Sequence, residues 1–204
     1  MEEYFDYKWE NDRNQVLICN EYSTYLNQLP IHIVDELLNT YLFNGFLKVF
    51  DRFFQIPHIR AERLHARYTI YDVSYKSFLR DILKLLEPIK ANKNQILFEE
   101  LDEIDEIVFV CNSEIKIGYS INNKKFFRLT HQCNAVGAYG VTFNRKSHFI
   151  YKVVSDSEAY FIRQNNWSTM INSFDNKQLK QSIENKIKEE YEQKVESVLI
   201  IFKD

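Results

Sequence analysis

The chain has 204 residues, 45% of them apolar and 27% charged, a balance that excludes a disordered or fibrous polypeptide and is sufficient for one core. With 26 Lys and Arg against 29 Asp and Glu the formal charge is −3, the wrong sign for a chain whose main task is gripping a phosphate backbone, so nucleic acid is not a favoured partner. Every apolar run falls far short of the roughly 20 residues that span a bilayer, and the acidic opening at residues 1–6 lacks the basic-then-apolar character of a secretory leader, so a cytoplasmic protein with no membrane partner is expected.

Cys19, Cys111 and Cys133 are odd in number and widely spaced, which argues against a disulfide framework or a thiolate zinc site and for buried, reduced thiols. Only 4 Gly and 3 Pro occur, so long flexible linkers are absent. Neither glycine-rich phosphate-loop pattern is present, and no cofactor is expected.

The first periodic run is Ile33, Leu37, Leu38, Tyr41, Leu42, then Phe46, Val49, Phe50 and Phe53, which predicts one long or two short helices. Residues 57–67 follow, dense in titratable groups. On a helix, His58, Glu62 and His65 would fall within about 60° of one another as a metal triad, with Arg60, Arg63 and Arg67 as a ridge on the opposite face that meets phosphates or a carboxylate-rich partner. A solvated, charge-laced helix accounts for the same pattern. A second helix is predicted through Tyr75, Phe78, Leu79, Ile82, Leu83, Leu85 and Leu86, stopping at Pro88.

Residues 99–106 hold six carboxylates in eight positions, and Leu97, Leu101 and Ile104 have the spacing of a helical stripe. Glu99, Glu100, Asp102 and Glu103 then form a negative face that would suit a protein partner with a basic surface. Asp105, Glu114 and Lys116 have the order used by metal-dependent nucleases, although acid-x-Lys also occurs at Asp6, Asp175, Glu184 and Glu192.

From residue 105 onward the texture is that of strands. Residues 107–110 and 115–121 read as strands, and Asn122 and Asn123 suit a two-residue turn into a strand over 125–129. His131 and Cys133 would share one side of the extended stretch that follows, a pair that could be a nucleophile and its base or simply a buried thiol near an imidazole. A second hairpin is predicted from 139–143 and 149–154, with a short strand over 159–162, and the sheet is expected to be antiparallel. His32 and His148 stand alone. Asp175 and Gln178 read as a capping box for a C-terminal helix with Leu179, Ile183, Ile187, Tyr191 and Val195 on one face, and with Glu184 to Lys188 and Glu190 to Lys194 as i,i+4 pairs. Residues 198–202 read as a final strand.

The stretch 111–153, above all His131 followed by Gly137, Ala138, Tyr139, Gly140, Val141, Thr142, Phe143, Asn144, Arg145 and Lys146, then Phe149, Ile150 and Tyr151, resembles bacterial abortive-infection antitoxins of the AbiGi kind. The resemblance spans about a fifth of the chain, and it implies a role in phage defence.

The expectation is an α+β protein: a helical N-terminal half, an antiparallel sheet of hairpins, and a C-terminal helix with a last strand. It forms one domain over 1–204, divisible into a helical subdomain 1–90 and a sheet subdomain 105–204. Missing catalytic motifs, 13 Tyr, 16 Phe and the acidic run favour a non-enzymatic inhibitor of the antitoxin or immunity kind. Two alternatives are a metal-dependent enzyme on nucleotides or nucleic acid, using His58, Glu62 and His65 or Asp105, Glu114 and Lys116, and a structural subunit. The oligomeric state is left open.

Overall fold

The computed structural model describes residues 2–13, 28–58, 66–132 and 135–200, with the side chains of 2–5, 9, 128–132 and 198–200 outside that description. Helices α1 (Glu2–Asn11), α2 (Ile31–Glu36), α3 (Asn44–Val49), α4 (Asp51–Phe54) and α5 (Val73–Lys84) come first, with a π-helical turn at Leu37–Leu42. Strands β1 (Glu87–Ala91), β2 (Ile96–Phe98), β3 (Glu106–Val110), β4 (Glu114–Ile121), β5 (Lys124–Gln132) and β6 (Ala135–Val136) lead into helix α6 (Ala138–Phe143). Strands β7 (Ile150–Val153) and β8 (Ser157–Arg163) precede α7 (Gln164–Asn172) and α8 (Lys177–Ile200). The mixed α+β class and antiparallel pairing are as expected.

The described strands form two four-stranded antiparallel sheets, ordered β1-β8-β3-β6 and β2-β7-β4-β5. First pairs with last, second with seventh, third with sixth and fourth with fifth, the nested order of a jelly roll. Its innermost hairpin turns at Asn122 and Asn123, whose φ of 49° and 62° are the left-handed values a two-residue turn requires.

The helical half packs on the first sheet through aromatic rings. Phe46, Phe50 and Phe53 each meet Phe109 of β3 edge-on, with centroids 5.3, 5.2 and 5.2 Å away, and Phe46 meets Tyr160 of β8 at 5.3 Å. Such pairs add about 0.5–1.5 kcal/mol each beyond the area they bury. Much of the phenylalanine content therefore fills the core. Helix α5 buries Tyr75, Phe78, Leu79, Ile82 and Leu83 and is tied to α2 by the buried Asp35, whose carboxylate accepts from Arg80 Nε at 2.7 Å and pairs with Lys76 at 3.2 Å.

Several expectations are corrected. Residues 138–143 are helix, not strand: Gly137 enters at φ 89° and Asn144 closes at φ 50°, left-handed positions that bracket one short helical segment. Helix α5 ends at Lys84 and does not run on to Pro88, which lies inside β1, opposite Tyr160. The acidic run is a turn, with Leu101 at φ 67°. Leu101 N–H donates to Ser147 O and Ser147 N–H to Asp102 O, which pins the turn to the loop ahead of β7. The cap of α8 is Asn176, whose Oδ1 accepts from the N–H groups of Gln178 and Leu179 at 3.1 Å. The helix continues through Ile200, so residues 198–200 are not strand; 201–202 lie outside the described residues.

Candidate functional site

Helix α6 is held tightly against the chain that leads into β3. A Cβ on Gly137 would lie 2.4 Å from Glu106 O, and one on Gly140 would lie 2.5 Å from Ile104 Cδ1 and 2.7 Å from Arg145 O; no side chain fits at either position. Behind it, Trp167 of α7 donates its indole N–H to Thr142 Oγ1 at 3.0 Å. The C-terminal helix α8 crosses over α6, and Tyr191 stacks on Tyr139 with centroids 3.9 Å apart and planes 5° from parallel. The Tyr191 hydroxyl and His148 Nδ1 share a hydrogen bond of 2.5 Å.

Between these elements lies a cleft of about 40 Å³, lined among others by Gly137, Tyr139, Lys146, Tyr191 and Lys194. Its charges are unequal. Glu190 also lines it, but that carboxylate lies 3.7 Å from Lys186 Nζ and 3.8 Å from Arg52 Nε. Lys186, itself buried, donates to Arg52 O, and to Gln55 O at 2.8 Å, so it clamps α8 to the end of α4. Lys194 is half-buried and has no ion pair or hydrogen bond among the described residues. Desolvation lowers its pKa, opposed by Glu190 and reinforced by Arg52. Burial, with Tyr139 adding, pushes the Tyr191 phenol up to about 12, so it stays a neutral hydrogen-bonding group. Ser147 Oγ is committed to Phe149 O at 2.7 Å, and no base pairs with it among the described residues. The arrangement brings together an aromatic slot, an ammonium with no ion pair among the described residues and a tight glycine-bearing turn.

The residues singled out in the sequence lie elsewhere. Arg60, Glu62, Arg63 and His65 are outside the described residues. The ends of their run are not helical: Pro57 bridges Arg67 antiparallel, His58 N–H donates to Ala66 O at 2.9 Å, His58 stacks on Tyr68 at 3.6 Å, and Arg67 bonds to Gln55. Asp105 precedes β3 and Glu114 follows its far end, about 16 Å of strand apart, while Lys116 is exposed on β4. Among the described residues no three His, Cys, Asp or Glu side chains converge as metal ligands would. Cys111 is a buried thiol; Cys19, Cys133 and the side chain of His131 are outside the described residues. The cleft was missed because Tyr191 reads as one more apolar position of the α8 stripe and His148 reads as solitary.

No family model matches the chain, and no curated protein matches it. Solved structures that resemble it include the regulatory domain of Toxoplasma gondii PKA with cAMP, 14% identical over 46% of this chain and 36% of that one, TM-score 0.43. Others are PKAR CBD2 with Sp-2Cl-cAMPS bound, 14% over 60% and 76%, TM-score 0.46, and a putative cyclic nucleotide-binding protein from Geobacter metallireducens, 14% over 54% and 80%, TM-score 0.45. The chain spans about a third of the length of the first of these.

The expectation of an antitoxin- or immunity-like inhibitor in phage defence is corrected. The resembling structures are cyclic nucleotide-binding proteins, and the acidic run on which the inhibitor rested is largely spent inside the molecule. Glu99 pairs with Lys125, Glu100 accepts from Ser120 N–H at 3.0 Å and Asp102 from Glu99 N–H at 2.7 Å; Glu103 is exposed. No helix among the described residues is long and apolar enough to cross a membrane.

Proposed function

We propose that this chain is a non-catalytic, cytoplasmic module that responds to a small molecule by releasing Tyr191 from Tyr139 and shifting α8. The stack over the cleft carries the reading. In the closed arrangement Tyr191 occupies the face of Tyr139 on which a planar ligand ring would lie, and a ring entering there takes over the stacking energy that the helix gives up, about 0.5–1.5 kcal/mol. The cleft under the stack is too small for a nucleoside, so a ligand of that size requires α8 to move. cAMP, the molecule named with the Toxoplasma structure, joins a flat ring to one negative charge and is a suitable first probe.

The test uses Trp167 as reporter. With Trp9→Phe it is the sole indole, and its N–H is bonded to Thr142 on α6. Titration with cAMP, cGMP and AMP should give a saturable change in emission together with faster amide exchange over 184–197. An unchanged spectrum and unchanged exchange with all three at millimolar concentration would sink the reading.

A further inference from the structure

We propose that the cleft is an oxyanion site, taking free phosphate or the phosphate group of a larger molecule, with Lys194 as its principal ligand and Lys146 at its mouth. This rests on the cleft being a ligand site and goes further by naming what it takes. Three observations converge on it. Lys194 has been drawn partly out of water with no carboxylate in ion-pairing distance among the described residues, an arrangement that is costly until an anion joins it. Glu190, the one acid among the described residues that line the cleft, is balanced by Lys186 and Arg52, which leaves Lys146 and Lys194 as net positive charge among those residues. The space, about 40 Å³, is room for about three waters, the scale of a tetrahedral oxyanion and not of a nucleoside. His148 is committed to Tyr191 and Ser147 to Phe149, so the two lysines are the cleft's uncommitted cationic donors among the described residues.

Calorimetric titration of the full chain with inorganic phosphate and, separately, with AMP tests this at low ionic strength, where charge contacts are least screened. Either ligand should bind wild type, weaken at least about tenfold in Lys194→Met and recover in Lys194→Arg, with the melting temperature of Lys194→Met showing that it is folded. Uptake of free phosphate identifies the ion itself as ligand; uptake of AMP alone identifies the phosphate group of a larger molecule. Equal affinity in wild type and Lys194→Met, or no uptake of either ligand, overturns the site. The Tyr191 gate is tested apart with adenosine, which has the ring and no charge. A Trp167 response to adenosine alongside no dependence on Lys194 retains the gate and removes the oxyanion site.

Discussion

Tyr191 lies face to face with Tyr139 at 3.9 Å while its hydroxyl meets His148 Nδ1 at 2.5 Å, so one side chain of α8 grips both α6 and the loop that leads into β7. The two contacts separate by mutation. Tyr191→Phe keeps the stack and gives up the hydrogen bond, costing about 1 kcal/mol; Tyr191→Ala gives up both, costing about 2–3 kcal/mol. Urea unfolding measures the difference. Equal losses in the two variants would mean that the stack contributes nothing.

Alkaline pH should weaken the fold through the same residue. A phenol whose pKa is raised in the folded chain contributes stability that is intact below its unfolded value and is lost as pH rises through the folded value. For Tyr191 that window runs from about 10 to about 12, and burial raises Tyr75 and Tyr160 to about 12 as well. Urea midpoints between pH 9 and 12 should therefore fall, less steeply in Tyr191→Phe than in wild type.

Asp35 should control the acid limb. Burial pushes its carboxyl up, but the hydrogen bonds and charges of Arg80 and Lys76 outweigh that and hold it below the ordinary range. Its contribution is then present above the unfolded pKa, about 4, and is lost as pH falls through the folded value. Asp35→Asn should cost about 3 kcal/mol at pH 7, because it leaves Arg80 without its carboxylate, and the gap to wild type should narrow as the pH is lowered toward 2. A constant gap from pH 7 to pH 2 would show that the pair is not electrostatic in origin.

Gly137→Ala asks for a left-handed residue whose Cβ sits 2.4 Å from Glu106 O. Left-handed backbone costs about 1–2 kcal/mol and overpacking about as much again, so a total of about 3 kcal/mol is expected, read by thermal unfolding. Ala at Gly45, where an added Cβ meets nothing within 4 Å, is the control and should be neutral or slightly stabilising.

Lys186→Met tests the clamp between α8 and α4. It removes the donor to Arg52 O and Gln55 O and should cost about 2 kcal/mol, with faster amide exchange in both helices. Exchange that quickens in α8 alone would show that α4 does not depend on the lysine.

The sequence announced the elements whose signals are local. The α5 stripe from Tyr75 to Leu83, the Asn122–Asn123 turn and the four-residue repeat of α8 each depend on a few neighbouring side chains, and each is present. Elements decided by distant contacts were misread. Tyr139, Val141 and Phe143 alternate as a strand would, yet Gly137 and the close approach of Ile104 turn them into helix. The carboxylates from Glu99 to Glu103 look like a solvated helix end until Lys125, Ser120 and Ser147 are seen to bind that turn. Pro88 seemed to mark only a stop, because nothing nearby shows that Tyr160 lies opposite. For the cleft, the pairing of Lys186 and Arg52 with Glu190, which leaves Lys194 uncompensated among the described residues, depends on how α4 and α8 meet.

The nested strand order also sets a schedule for folding. Among the described strands only β4 and β5 are neighbours in sequence as well as in space, so that hairpin can close within microseconds, whereas each wider pair must close a longer loop. Among the described strands β1 pairs with β8 alone, so Glu87 has none of these as a partner until Phe161 has been synthesised. On the ribosome the N-terminal helices therefore wait for most of the two sheets before Phe46 and Phe50 find Phe109 and Tyr160 in place, and pairing over such long separations in sequence slows folding.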